Sequence, residues 1–290
     1  MRYRLIPAAL AALAVASILA IAPNASGAEP AKASNPYGSC TSTGRLSIDV
    51  VGLTSDQRLI CFRSDRPGRA RDIGAVTGLD TDTRLVGIDA RSANGGYYGL
   101  GDQGGVYTVD TSNARVTLVG RINVPLRGTS FGVDFNPAAD RLRVVSDAGQ
   151  NLRINVDTVA TLVDTDLSYT PGTPTTGVVA AAYTNNDLSA DTATTLFDVD
   201  SALDQVAIQS PPNNGSLAPT GKLGVDAVGD ASADIFSRTR DGAAQDNTGF
   251  AVLNGSTFYR LDVLTGRVTK VGTFSSKATV IGIAVPISQR

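Results

Sequence analysis

A strand–turn–strand unit returns along this chain at a nearly fixed interval, and short-period repetition admits few folds. The unit spans 105–110 then 115–120, 152–157 then 161–164, 195–200 then 205–209, and 257–262 then 267–272. A looser copy spans 59–65 then 70–74. The first strand of each unit ends at Asp65, Asp110, Asp157, Asp200 or Asp262, at intervals of 45, 47, 43 and 62 residues. The last interval contains an insertion, Pro211-Pro212-Asn213-Asn214-Gly215. A small-residue motif accompanies the repeat, starting at Gly87, Gly132, Ala180, Ser232 and Gly282, 45, 48, 52 and 50 residues apart. Another strand lies between motif and unit, as in 96–100 or 141–145, so each repeat holds about four strands in about 47 residues, the pattern of a propeller blade. The last small-residue motif, 280–286, has no strands after it, whereas 47–77 has the later strands and lacks the first. The sequence therefore predicts an all-β fold, a five-bladed β-propeller closed by pairing of N- and C-terminal strands in one blade. Closure would also remove the open sheet edges. Gly, Ala and Ser suit crowded inner strands near the axis. A two-layered β-sandwich is the alternative, and the five-fold spacing weighs against it.

Composition narrows the chemistry. The 290 residues are 42% apolar, enough for a sizeable core, and include no His and no Trp. Without His, a Ser-His-Asp triad, a Cys-His pair, a His-ligated zinc and a His-ligated haem are all excluded. The net charge of −2, with Arg scattered, gives no footprint for nucleic acid. Residues 1–28 read as a secretory signal peptide: Arg2 and Arg4, an uncharged apolar stretch over 5–22, then Ser26-Gly27-Ala28 as a cleavage site. A retained anchor is the alternative, but Pro7 interrupts a run barely long enough to span a bilayer. A small-residue linker, 29–43, leads to the propeller domain, 44–290, which has no membrane span. Export fits the two cysteines, Cys40 and Cys61, as a structural disulfide.

The runs Ser130-Phe-Gly-Val-Asp-Phe-Asn-Pro137, Arg141-Leu-Arg-Val-Val-Ser-Asp147 and Gln150-Asn-Leu-Arg-Ile-Asn155 resemble the hallmark of a bacterial family of unknown function, domain family 4394. So do Val178-Val-Ala-Ala-Ala-Tyr-Thr-Asn-Asn186, Pro211–Gly215 as spelled out above, and Leu223-Gly-Val-Asp226. The likeness extends over 51–284. It implies a secreted or surface protein with propeller-like repeats, and it brings no catalytic residues with it.

Asp89, Asp134 and Asp234 hold the same position in three motifs. On inner strands they would face the channel, where three carboxylates could bind a cation or act as acid and base on a glycoside. Equally, each could accept backbone hydrogen bonds as a structural device, and repetition favours that reading. Asp110, Asp157, Asp200 and Asp262 are expected to cap turns. Asp80, Asp82, Asp187 and Asp191 are incomplete as calcium loops and are expected in solvated turns. Residues 99–104 match G-x-G-x-x-G, but a strand follows where a dinucleotide site needs a helix. Arg141, Arg143 and Arg153 are expected to pair with Asp140 and Asp147.

These readings converge on a secreted, monomeric, non-catalytic binding or scaffold module for an extracellular ligand, glycan or protein. No cofactor is expected, though a structural cation fits the channel. The alternative is a carbohydrate-active hydrolase or lyase using Asp89, Asp134 and Asp234. An enzyme requires these carboxylates to converge in a solvent-filled cleft. A scaffold requires them shielded and bonded to backbone.

Overall fold

Runs of β-branched and aromatic residues between Gly, Asp and Asn turns form short strands that pair with their sequence neighbours. The computed structural model describes residues 43–44, 47–189, 191–275 and 279–287. Four blades are four-stranded antiparallel meanders. The first is Leu85–Ala90, Tyr97–Gly101, Gly105–Asp110 and Arg115–Arg121. The second is Phe131–Asn136, Arg141–Ser146, Asn151–Ile154 and Thr161–Val163. The third is Val178–Tyr183, Leu196–Asp200, Gln205–Gln209 and Leu217–Lys222. The fourth is Ala231–Arg240, Ala243–Leu253, Thr257–Leu261 and Val268–Thr273.

The fifth blade joins the two ends of the described chain. Its inner strand is Val280–Ala284, followed outward by Ser47–Thr54, Arg58–Arg63 and Arg66–Ala75. Val51 opposes Ala284 and Leu53 opposes Gly282. Thr43 and Gly44 add a two-residue strand against Ile48 and Ser47. The expected signal peptide, nearly all of the expected linker, and Cys40 fall outside the described residues. Cys61 is buried in the third strand of this blade. Among the described residues no helix is long and apolar enough to cross a membrane.

The five-bladed ring predicted from the repeats is thus the observed architecture, and the core confirms its closure. Among the described residues there are five apolar clusters, each built from two successive blades. Between the fourth and closing blades, Phe62 packs edge-on to Phe258 and Phe274 at centroid distances of 5.1 and 4.9 Å. One copy of the strand–turn–strand unit is out of phase with the others. Asp200 ends the second strand of its blade, whereas Asp110 ends the third. The wide last interval is therefore a slip of one strand, not the effect of the insertion. The slip has a chemical cause: Asp200 Oδ1 accepts from the amides of Ala202 and Leu203, as Asp262 Oδ1 does from Leu264 and Thr265. One turn chemistry serves two different hairpins.

The small-residue motifs all fall on inner strands, where blades approach most closely. A Cβ built on Gly132 would lie 2.6 Å from the backbone of Ala180 and Ala181, and one on Gly87 would lie 2.4 Å from Val133. Backbone cannot swing aside as a side chain can, so Gly132→Ala should lower the stability of the folded chain by roughly 1–3 kcal/mol. The shift of its urea midpoint against wild type measures this. An unchanged midpoint would show that the blades do not meet there.

Candidate functional site: the axial carboxylates and the groove between blades three and four

Each inner strand presents one position at a common level on the axis: Asp89, Asp134, Ala182, Asp234 and Ala284. The three carboxylates come together there, one oxygen from each lying within 4.8 Å of the others. All three residues are between 1% and 4% exposed, so this is an interior cluster rather than a cleft. Each reaches across to the following blade. The amide of Phe135 donates to Asp89 Oδ2 at 2.6 Å, and that of Tyr183 to Asp134 Oδ1 at 3.0 Å. The amide of Val285 donates to Asp234 Oδ2 at 2.6 Å. Asp234 Oδ1 also accepts from Ile235 at 2.6 Å, and Asp89 from the amide of Ala90.

One flank of the cluster is filled by side chains and the other is narrow. Beyond it, Asn186 ties three blades together: its amide donates to Ser237 Oγ at 2.8 Å and its Nδ2 to the Ile235 carbonyl at 2.9 Å. Ser92 Oγ donates to Asn186 Oδ1 at 3.3 Å. Before it, the axis narrows to a cavity of about 10 Å³, lined by residues one to three places ahead of the carboxylate position. Such a volume holds about one water.

Burial pushes the carboxyl of Asp89 well up, and the charge of Asp234 adds to it. Burial does the same to Asp134, with Asp89 and Asp234 as neighbours. Burial raises Asp234 to about 7 against its backbone bonds.

The remaining sequence candidates are structural. Asp110 and Asp262 cap turns. At the corresponding turn of the second blade, Asn155 Oδ1 does the capping and Asp157 instead pairs with Arg91. Arg143 and Arg153 both pair with Asp164, not with Asp140 or Asp147. Asp140 goes to Arg91, and Asp147 accepts from the Thr129 amide. Sequence proximity misled here because the guanidinium groups reach outward across the sheet, past the adjacent hairpin. Asp82 is buried rather than solvated, accepting from Gln103 and Gly105 amides, Tyr107 Oη and Arg121. Asp187 is buried too, accepting from the amides of Ser189 and Ala244.

Sequence reasoning did not single out the groove between the third and fourth blades. It has a volume of about 660 Å³. Phe197, Ile235, Leu261, Val263 and Leu264 are its apolar residues, and Thr184, Thr195, Asn247 and Thr248 bring hydroxyl and amide groups to its lining. Arg260 and Arg267 are exposed along it and form no ion pair among the described residues. Asp262 is the one carboxylate in its lining, and the amides of its own turn engage it. Nothing in the sequence marks these arginines, because the groove arises from blade-to-blade packing.

With the ring and its contents defined, the family follows. Residues 58–284 match the family described as Domain of unknown function (DUF4394). The chain belongs to that family. No curated protein matches this DUF4394 chain. Among solved structures it is similar to an auxiliary nutrient binding protein of Bacteroides thetaiotaomicron, with a TM-score of 0.44, 12% identity, and coverage of 81% of this chain and 63% of the other. It is likewise similar to a protein of unknown function from the same organism, with a TM-score of 0.44, 13% identity and coverage of 82% and 66%. This chain thus spans less than two thirds of the length of either. At this level the likeness adds nothing about function.

The axial pKa shifts fix the sign of a pH effect. Their folded values lie above that of an unfolded Asp, about 3.9. The stability these groups contribute is therefore fully present below about pH 4 and is lost as pH rises through their folded values, about 7 for Asp234. In chelator-treated DUF4394 protein the urea midpoint should fall between pH 4 and 7. Asp134→Asn should flatten that fall, since an amide has no charge to desolvate. A midpoint that rises over this range would contradict the burial of the trio.

Proposed function

We propose that this DUF4394 propeller is a non-catalytic binding module that works outside the cytoplasm and holds a glycan in the groove between its third and fourth blades. The observation that supports it is the separation of carboxylates from open space. Glycoside hydrolysis with two carboxyl groups needs both beside the scissile bond, with room for a water. The three converging carboxylates are sealed on the axis, and the open groove has a single, turn-bound carboxylate in its lining. The groove is of ligand size, and its lining suits a sugar: apolar residues for the C–H face, with hydroxyl, amide and guanidinium groups for the hydroxyls. The signal-like segment 1–28 and a Cys40–Cys61 bridge belong to the same reading, since an oxidising compartment preserves disulfides.

A glycan array followed by calorimetry tests it. Arg260→Ala and Arg267→Ala should each weaken binding about tenfold or more, the worth of one charge-assisted hydrogen bond, without moving the melting midpoint. Release of reducing ends that Asp134→Asn abolishes would replace this reading with a hydrolase. Saccharide binding that ignores both arginines would move the ligand out of the groove.

A further inference from the structure

The axis carries more oxygen than its hydrogen bonds use. An antiparallel strand sends the N–H and C=O of alternate residues to the same edge. The amides of Phe135, Tyr183 and Val285 face the axis. The peptide groups of Val133, Ala181 and Ile283, two places earlier, therefore face it as well, and these residues line the axial cavity. At the next level the blades hold Gly87, Gly132, Ala180 and Gly282, but the fourth blade holds Ser232. Ser232 lies on the same face of its strand as Asp234 and lines the cavity. It is 7% exposed, and its Oγ has no hydrogen-bond partner.

The three carboxylates also lack a counter-charge. No Lys or Arg among the described residues pairs with Asp89, Asp134 or Asp234. The nearest arginine in register, Arg143 opposite Asp134, directs its guanidinium to Asp164 instead. Buried charges persist when they are paired or hold a metal.

We infer that the propeller axis is a calcium site, with Asp89, Asp134 and Asp234 as carboxylate ligands and Ser232 Oγ facing the same ion from the adjoining cavity. The donors are all oxygen, which selects a hard cation. Oxygens bound to one Ca²⁺ at about 2.4 Å stand at most about 4.8 Å apart. The trio meets that limit. Mg²⁺ binds at about 2.1 Å and retains several waters. A cavity of about 10 Å³ has no room for them. The amides already bonded to the carboxylates leave lone pairs for the ion, because each carboxylate oxygen accepts more than one bond. The ion clamps three of the five blades at the axis. It stands apart from the groove, so either assignment can fail without the other.

The test uses the purified chain, with and without residues 1–28. Elemental analysis of protein prepared without chelator should find about one calcium per chain. After EGTA treatment at pH 8, calcium should raise the melting midpoint by several degrees and magnesium should raise it less. Asp89→Asn and Asp134→Asn should abolish stoichiometric uptake, and Ser232→Ala, which removes only the hydroxyl, should weaken uptake while the protein stays folded. If the Asp variants do not fold, wild type and Ser232→Ala decide between them. Two results would overturn the site: EGTA-treated wild type that neither takes up calcium nor shifts its midpoint, or Asp134→Asn that stabilises the chain equally with and without calcium. Either would mean that the carboxyls are held neutral by shared protons.

Discussion

A ring of blades turns five strand edges toward one axis, and the peptide groups on those edges have no further strand to pair with. An unpaired buried N–H costs as much as a lost hydrogen bond. At the level of Ala90, Phe135, Tyr183, Ile235 and Val285, three carboxylates serve all five amides. Asp134 takes the amide of the next blade, while Asp89 and Asp234 take both that amide and their own strand's next one. This accounts for three Asp rather than five. The blades that follow Ala182 and Ala284 have amides already engaged by Asp234 and Asp89. Two more carboxylates would add charge to a buried site and find no donor there.

The remaining interfaces between blades are not equivalent either. Those on either side of the closing blade are apolar and aromatic, whereas the second and third blades meet through a polar seam beside their apolar cluster. Arg143, fully buried, donates to Tyr183 Oη, Asn151 Oδ1, Asp164 Oδ2 and Asn213 Oδ1 at 2.6–3.2 Å. Asn213 comes from the insertion, and the Pro212 carbonyl accepts from both Asn151 and Gln209. The insertion is thus pinned by side chains of two blades. Asp198, buried in the same seam, has no partner for either oxygen, and burial pushes its carboxyl well up. A buried ionic network seldom outperforms apolar packing in stability. Here it fixes where an irregular loop docks.

What the sequence revealed and what it hid follow from one distinction. Features set by local chemistry were legible. Alternation marked the strands, the small-residue motif marked the inner strands, and the incomplete first and last repeats marked the closure. The shared position of Asp89, Asp134 and Asp234 was legible because each follows a Gly or Ser by two residues on the same kind of strand. Features set by reach across the sheet were not. Arg143 passes over Asp140 and Asp147 to find Asp164, and Asp82 is buried under Tyr107 and Arg121, residues far along the chain. Capping chemistry is local but not unique to one hairpin, which is why the Asp200 turn resembles the others in sequence yet lies one strand out of phase.

The fourth blade shows where repetition gives way. Inner strands elsewhere have five or six residues, but Ala231–Arg240 has ten and its partner Ala243–Leu253 eleven. At about 3.3 Å per residue the extra length carries this hairpin more than 10 Å beyond the level of its neighbours. The loop after the third inner strand is stitched to it: Asn185 and Asn247 exchange hydrogen bonds of 3.0 and 2.7 Å, and Asp187 accepts from the Ala244 amide at 2.8 Å. A long hairpin standing alone would be marginal in water. Held against the neighbouring loop, it becomes one wall of the groove that Arg260 and Arg267 line. Devices that hold the ring together recur from blade to blade, as the axial Asp does. The groove occurs where one blade departs from the pattern, and a surface for a particular ligand has to be unlike its four counterparts.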